Sequence, residues 1–247
     1  MQKFSIENFI EEANRAKSTA EVGRLFGQVL KEHGYDQFCY SLVTDHPSIG
    51  LPARHGILGN YPNDWMSHYK TKQYEKKDPV PRFAFNTSRP FTWKSLEQNR
   101  ELKVEEKKVM NEAREARLLD GVAIPICGHN GELAGVGIAS SVGGVRPDPN
   151  VLSKLHLAAM QFHLAYTELE KKQRPLGTVQ LTSREKEILS WAAEGKSDSV
   201  IADIIGVSHS TVRFHLKNIF QKLNANERTL ATVKAIRLGL IVPDYFA

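Results

Sequence analysis

The segment KKQRPLGTVQ, residues 171–180, is the feature that most limits how this chain folds. It interrupts a long amphipathic pattern, residues 148–172, with adjacent charges, Pro175 and Gly177. Proline removes a helical N–H donor and glycine offers nothing to pack, so the stretch reads as a linker. The 247 residues are therefore expected to form two cores, a domain at 1–170 and a smaller one at 181–247. The formal net charge of +5 divides unevenly across that break. Residues 1–170 hold 21 Lys+Arg against 21 Asp+Glu, whereas residues 171–247 hold 12 against 7. The whole excess lies in the smaller domain, as expected if only that part meets a polyanion.

Before the break, periodicity alternates between helix and strand. SIENFIEEANRA and TAEVGRLFGQVLKEHG read as helices, the second with Val22, Leu25, Phe26, Val29 and Leu30 on one face and Gly34 as C-cap. QFCYSLV is a buried strand, and SIGLPARHGILGN a loop and strand. NYPNDWMSHY spaces Tyr61, Trp65 and Tyr69 by four, which on a helix stacks them on one face; that helix is expected to end before DPVP. PFTWKS reads as extended, ELKVEEKKVMNEAREARLL as a long helix, and GVAIPICG-HNGE-LAGVGIASS as a hairpin. Helices on either side of about five strands predict an α+β chain whose first domain is an α/β/α sandwich with an antiparallel sheet. Val151, Leu152, Leu155, Ala158, Ala159 and Phe162 on the closing helix suit either a dimer surface or the chain's own sheet.

Several function classes find no support. There is no apolar run near ~18 residues, no GxxxxGK[ST], no GxSxG, and no receiver-like acidic strand end. The nine histidines are scattered without metal-ligand spacing, and Cys39 and Cys127 form neither a framework nor a metal pair. The N-terminus has no cleavage signal, so a soluble cytoplasmic chain in a reducing compartment is expected, with no metal, no catalytic residue and no enzymatic activity. The aromatic stripe itself reads two ways, as ordinary core or as a pocket wall with polar tips turned inward. Asp78 nearby is an acceptor that is costly to bury alone.

After the break the pattern is helical. LTSREKEILSWAAEG opens on Thr182 and Glu185 at capping-box spacing and closes on Gly195. SDSVIADIIGVSHSTVRFHLKNIFQKLN gives a short helix, a turn at Gly206, and a longer helix capped by Ser208. Val212, Leu216, Ile219, Phe220 and Leu223 form the inner stripe, while Arg213, Lys217 and Gln221 share another face.

These residues resemble the DNA-binding domain of LuxR-type transcription factors along roughly sixty positions, including LTSREKEIL, AEGKS, GVS and TVRFHLKNI. The resemblance implies a four-helix helix-turn-helix domain with 209–223 as recognition helix and the last helix used for dimer contacts. Carried over, Arg213 and Lys217 contact double-stranded DNA, His209, Ser210 and Thr211 lie near its backbone, and Lys196, Lys222 and Arg228 are weaker phosphate contacts. NYPNDWMSHYKTKQYEKKDPVPRFAFNTSRPFTW and GVAIPICGHNGELAGVGIAS likewise resemble the autoinducer-binding domain of LuxR-type quorum-sensing receptors. That resemblance implies an N-acyl-homoserine lactone ligand, no cofactor, a homodimer on a pseudo-palindromic operator, and RNA polymerase as partner if the protein activates. Trp65 is then expected to donate to the lactone carbonyl, Asp78 to accept from the amide N–H, and Tyr61 to donate to the acyl carbonyl. Tyr69 and Trp93 pack along chain and ring, and Gly121 keeps backbone close beneath the pocket. Gly137 and Ala123 stand where relatives often place hydroxyls, which implies a less polar, wider acyl end. A receptor for a non-lactone signal, or a ligand-independent regulator, fits the same domain pair.

Overall fold

The computed structural model describes residues 5–128, 131–173 and 179–242. These form two compact units. In the first, α1 (Ile6–Arg15) and α2 (Thr19–Glu32) are capped by Ser5 and Ser18, whose hydroxyls accept from backbone N–H groups three residues on. Then follow β1 (Gln37–Leu42), β2 (Arg54–Gly59), α3 (Asn63–Thr71), α4 (Pro79–Ala84), β3 (Phe91–Thr92), α5 (Trp93–Asn99) and α6 (Val104–Glu115). The unit ends with β4 (Leu119–Cys127), β5 (Leu133–Ser140) and α7 (Pro149–Gln173). The five strands are antiparallel in the order β2-β1-β5-β4-β3. This is the expected sandwich.

Strand alternation sends two different residue sets to the two faces. Phe38, Tyr40 and Leu42 of β1, Val122, Ile124 and Ile126 of β4, and Val136 and Ile138 of β5 meet α1, α2 and α7. Phe26, Phe38, Tyr40 and Phe162 interlock there, with ring centroids 4.8–6.0 Å apart. The opposite face presents Cys39, Ser41, Ala123, Gly135 and Gly137, all small, toward α3, α4 and α6. Side chains this short do not fill the space between the layers. A cavity of about 900 Å³ results.

Local structure departs from or refines the sequence expectation at several elements. Tyr61 precedes α3 instead of lying on it, so only Trp65 and Tyr69 of the stripe are helical. That helix stops at Thr71, where Gln73 takes a left-handed conformation (φ 52°); Pro79 begins α4, a first-turn position that needs no N–H. PFTWKS is extended only at Phe91–Thr92, because Thr92 accepts from Ser95 N–H and starts α5. The helix expected through residue 119 ends at Glu115, where Leu119 enters β4. On α7, Leu155, Ala158, Ala159 and Phe162 are buried in their own core, with Val151 and Leu152 packed against it. Leu155, Ala158, Ala159 and Phe162 are therefore not available as a dimer surface. The helix runs through Gln173, three residues into the expected linker, while Pro175, Gly177 and the hairpin residues His129 and Asn130 lie outside the described residues.

The second unit contains α8 (Ser183–Ala193), α9 (Asp198–Ile205), α10 (His209–Lys222) and α11 (Arg228–Arg237). The Thr182–Glu185 capping box forms, with N···O distances of 2.7 and 3.2 Å. Gly206 ends α9 at φ 67°, a left-handed turn that glycine takes without strain, and Ser208 caps α10 through Thr211 N–H. Ile188, Leu189, Ile201, Val212, Ile219, Ala231 and Ala235 are fully buried between the helices.

Candidate functional site

Six polar side chains define the cavity's chemistry. The Tyr61 hydroxyl is buried and has no hydrogen-bond partner among the described residues. The same holds for the Trp93 indole N–H. A buried donor left unsatisfied costs about 1–3 kcal/mol, so both groups are poised for an acceptor brought from elsewhere. Asp78 is the N-cap of α4: Oδ1 accepts from Val80 N–H at 2.8 Å and Oδ2 from the Tyr69 hydroxyl at 3.0 Å. Burial raises its pKa to about 6, against the lowering effect of those two bonds. Ser41 and His55, which sequence reading passed over, face the same space. Ser41 Oγ accepts from Gly56 N–H at 3.0 Å and pairs with His55 Nδ1 at 3.1 Å. The His55 ring stacks on Tyr69, 4.4 Å between centroids, and burial lowers its pKa to about 4, so it is neutral. Alternation against Cys39 and Tyr40 was a legible signal for Ser41. Nothing local marks His55.

Burial also pushes the Tyr61 phenol well up and the Cys39 thiol up to about 12. Both stay protonated at neutral pH, so Tyr61 is a donor and Cys39 is not a nucleophile.

Two glycines have clear steric reasons. A Cβ on Gly121 would lie 2.1 Å from the Trp93 ring, so this glycine seats the indole. It is not among the cavity-lining residues, and its contribution is the position of Trp93, which is. A Cβ on Gly137 would lie 2.8 Å from the Tyr61 hydroxyl. The Tyr61 hydroxyl therefore stands directly beside this glycine, and the polar group at that point of the wall comes from Tyr61 and not from the strand. Ala123 packs with Ala84, Phe91 and Leu96.

In the second unit, His209, Ser210, Arg213 and Lys217 are exposed on α10, and Lys196 is exposed before α9. Thr211 is half-buried, its hydroxyl 2.7 Å from Ser208 Oγ. Lys222 and Arg228 have structural partners. Lys222 Nζ lies 2.6 Å from Glu185 Oε2, and Glu185 is 3% exposed. Burial alone would raise that carboxyl; Lys222 and the Thr182 N–H outweigh it and the net shift is downward. Arg228 pairs with Asp198 at 2.7 Å and also donates to the Lys196 carbonyl. Sequence spacing did not reveal either pairing, because both join helices distant in sequence.

Comparison with known proteins gives the same division. The family model for the autoinducer binding domain matches residues 18–166, and that for bacterial regulatory proteins of the luxR family matches residues 179–235. The chain belongs to the LuxR family. Among LuxR-family relatives, the HTH-type quorum sensing-dependent transcriptional regulator RpaR of Rhodopseudomonas palustris is 31% identical over 241 residues, covering 94% of this chain and 93% of that protein. The transcriptional activator BjaR1 of Bradyrhizobium diazoefficiens is 36% identical over 205 residues, 82% of this chain and 83% of its own. The crystal structure of Escherichia coli SdiA superposes with a TM-score of 0.75 at 26% identity, covering 96% and 97% of the two chains. A structure of SdiA in complex with octanoyl-rac-glycerol gives 0.74 at the same identity, with 95% and 94% covered. This LuxR-family chain is accordingly an autoinducer-binding, helix-turn-helix transcriptional regulator of the quorum-sensing type. Among its described residues no helix is long and apolar enough to cross a membrane.

Proposed function

We propose that this regulator is a cytoplasmic receptor for an N-acyl-homoserine lactone, and that the bound form is a homodimer on a pseudo-palindromic operator. The observation that carries the ligand class is the pairing of the unpartnered Tyr61 hydroxyl with the Asp78 carboxylate in one cavity of about 900 Å³. An acyl amide brings an acceptor and a donor a few bonds apart. Tyr61 donates to the acyl carbonyl, Asp78 accepts from the amide N–H, and Trp65 donates to the lactone carbonyl. Tyr69 contributes by holding Asp78 Oδ2 and by offering its ring face, and Trp93 closes the cavity wall. Ligand binding then stabilises the folded state by mass action, so that signal and DNA-competent protein rise together.

Homodimer formation is supported by apolar side chains on outer helix faces. Leu157 and Leu164 on α7 are each 52% exposed and seven residues apart, and Val233 of α11 is exposed as well. DNA contact is assigned to Arg213 and Lys217, with His209, Ser210, Thr211 and Lys196 toward the backbone. Lys222 and Arg228 act chiefly within the domain. RNA polymerase is the further partner if the bound dimer activates. Affinity for duplex DNA should fall steeply with added salt, and Arg213→Ala should abolish preference for one operator. Absence of duplex binding at low salt would overturn the assignment.

The SdiA complex with octanoyl-rac-glycerol favours a second reading, an acylated ligand without the lactone. An ester has the carbonyl for Tyr61 but no N–H for Asp78, which would then accept from a glycerol hydroxyl. Mass spectrometry of ligand extracted from the purified protein separates the two.

A further inference from the structure

The face of α10 turned away from its core carries Ser210, Phe214, Lys217 and Gln221, each three or four residues from the next. Val212, Leu216 and Ile219 occupy the buried side. Phe214 is 61% exposed, the most exposed aromatic side chain among the described residues. A single exposed apolar residue is ordinary on a protein surface. Its position here is not. The ring lies between exposed Arg213 and Lys217 on a helix with no acidic residue from His209 to Lys222. Among the described residues its one close ring neighbour is His215, edge-on at 5.7 Å, which leaves most of its surface to solvent.

A cationic helix face with an apolar centre matches the major groove of duplex DNA. Flanking phosphates and guanine edges suit the cations. The only apolar group exposed on a base edge there is the thymine C5 methyl. A phenyl ring gains nothing against a phosphate, which it would merely desolvate. We propose that Phe214 is a specificity-determining residue that packs on a thymine methyl group in the operator. The inference rests on α10 being the DNA-reading helix, and adds to the polar contacts a base preference that no hydrogen bond supplies.

The test uses the full chain, kept saturated with a mixture of acyl-homoserine lactones, to select duplexes from a randomised library. Each thymine of a selected duplex is then replaced singly by uracil, which lacks only the methyl. In the unaltered protein, one thymine contacted by each recognition helix should show a loss of about fourfold on that exchange, the value of one buried methyl. Phe214→Ala should bind the thymine duplex more weakly and be indifferent to the exchange at that position. Phe214→Leu should retain part of the sensitivity. Because Phe214 is exposed, thermal unfolding of its variants should match the parent. If duplexes are selected but no uracil exchange matters, or Phe214→Ala keeps the same penalty, the inference is overturned while the DNA assignment stands. If no duplex is bound even at low salt, with or without lactone, the DNA assignment itself falls.

Discussion

The two faces of the central sheet carry similar aromatic chemistry and finish it differently. On the face under α7, the Tyr40 hydroxyl meets His163 Nδ1 at 2.7 Å and its ring packs on Phe162 at 5.0 Å. On the other, the Tyr61 hydroxyl is just as deeply buried and has no partner among the described residues. The first tyrosine has its partner within the chain, and the second has none among the described residues. The cause lies in strand alternation: Phe38, Tyr40, Ile124, Val136 and Ile138 fill one side, whereas Cys39, Ser41, Ala123, Gly135 and Gly137 leave room on the other.

The comparison breaks most readily at Gly121. Gly121→Ala forces a methyl into the Trp93 ring, and the expected destabilisation is about 3 kcal/mol, read as a drop in urea midpoint at unchanged slope. Gly135→Ala, whose added methyl meets its nearest atom at 3.7 Å, should unfold like the parent and lose affinity only for the bulkiest ligands. Equal losses from both would mean that these two glycines are not individually fitted. Next in size is Asp78→Asn, which replaces a charge-assisted bond and should weaken lactone binding by roughly 1.5–3 kcal/mol in calorimetric titration.

The paired tyrosines sharpen the contrast. Tyr40→Phe orphans buried His163 and should cost about 1–2 kcal/mol of stability with or without ligand. Tyr61→Phe removes a donor that has no partner, so the ligand-free protein should be no less stable, while ligand affinity falls by about tenfold. If Tyr61→Phe destabilised the ligand-free protein as much as Tyr40→Phe does, the two faces would not differ as described.

The smallest effect is the pH dependence. Asp78 is raised to about 6, so the folded ligand-free protein binds more protons than the unfolded chain between about 4 and 6. Its contribution to stability therefore declines as pH rises through that window. His55 and His163, both lowered to about 4, act in the opposite sense, stabilising increasingly as pH rises from about 4 toward the ordinary histidine value near 6.5. Asp78→Asn should thus steepen the acid limb of the stability curve. Lactone affinity in the parent should fall as pH drops below about 6, where the carboxylate that accepts the amide N–H becomes protonated.

Much of this is legible in the sequence. The capping box at Thr182, the turn at Gly206, the cap at Ser208 and the core stripes announce themselves through local spacing, because local hydrogen bonds produce them. Trp65, Tyr69 and Asp78 were visible as a cluster, and Tyr61 with them. What spacing did not convey is long-range. Pairings such as Lys222 with Glu185 and Arg228 with Asp198 depend on helix packing. The role of Gly137 depends on a tyrosine 76 positions earlier in the chain reaching across to it. His55 becomes a cavity residue only when β2 pairs with β1 and its ring meets Tyr69.

The central claim is that the small-residue face encloses a signal recognised by Tyr61 and Asp78. It is tested most directly by mass spectrometry of small molecules extracted from the purified protein after expression with a series of acyl-homoserine lactones. One lactone should be retained per chain, with retention sharply reduced in both Tyr61→Phe and Asp78→Asn. Recovery of no lactone at any chain length, or retention unaffected by both substitutions, would contradict it.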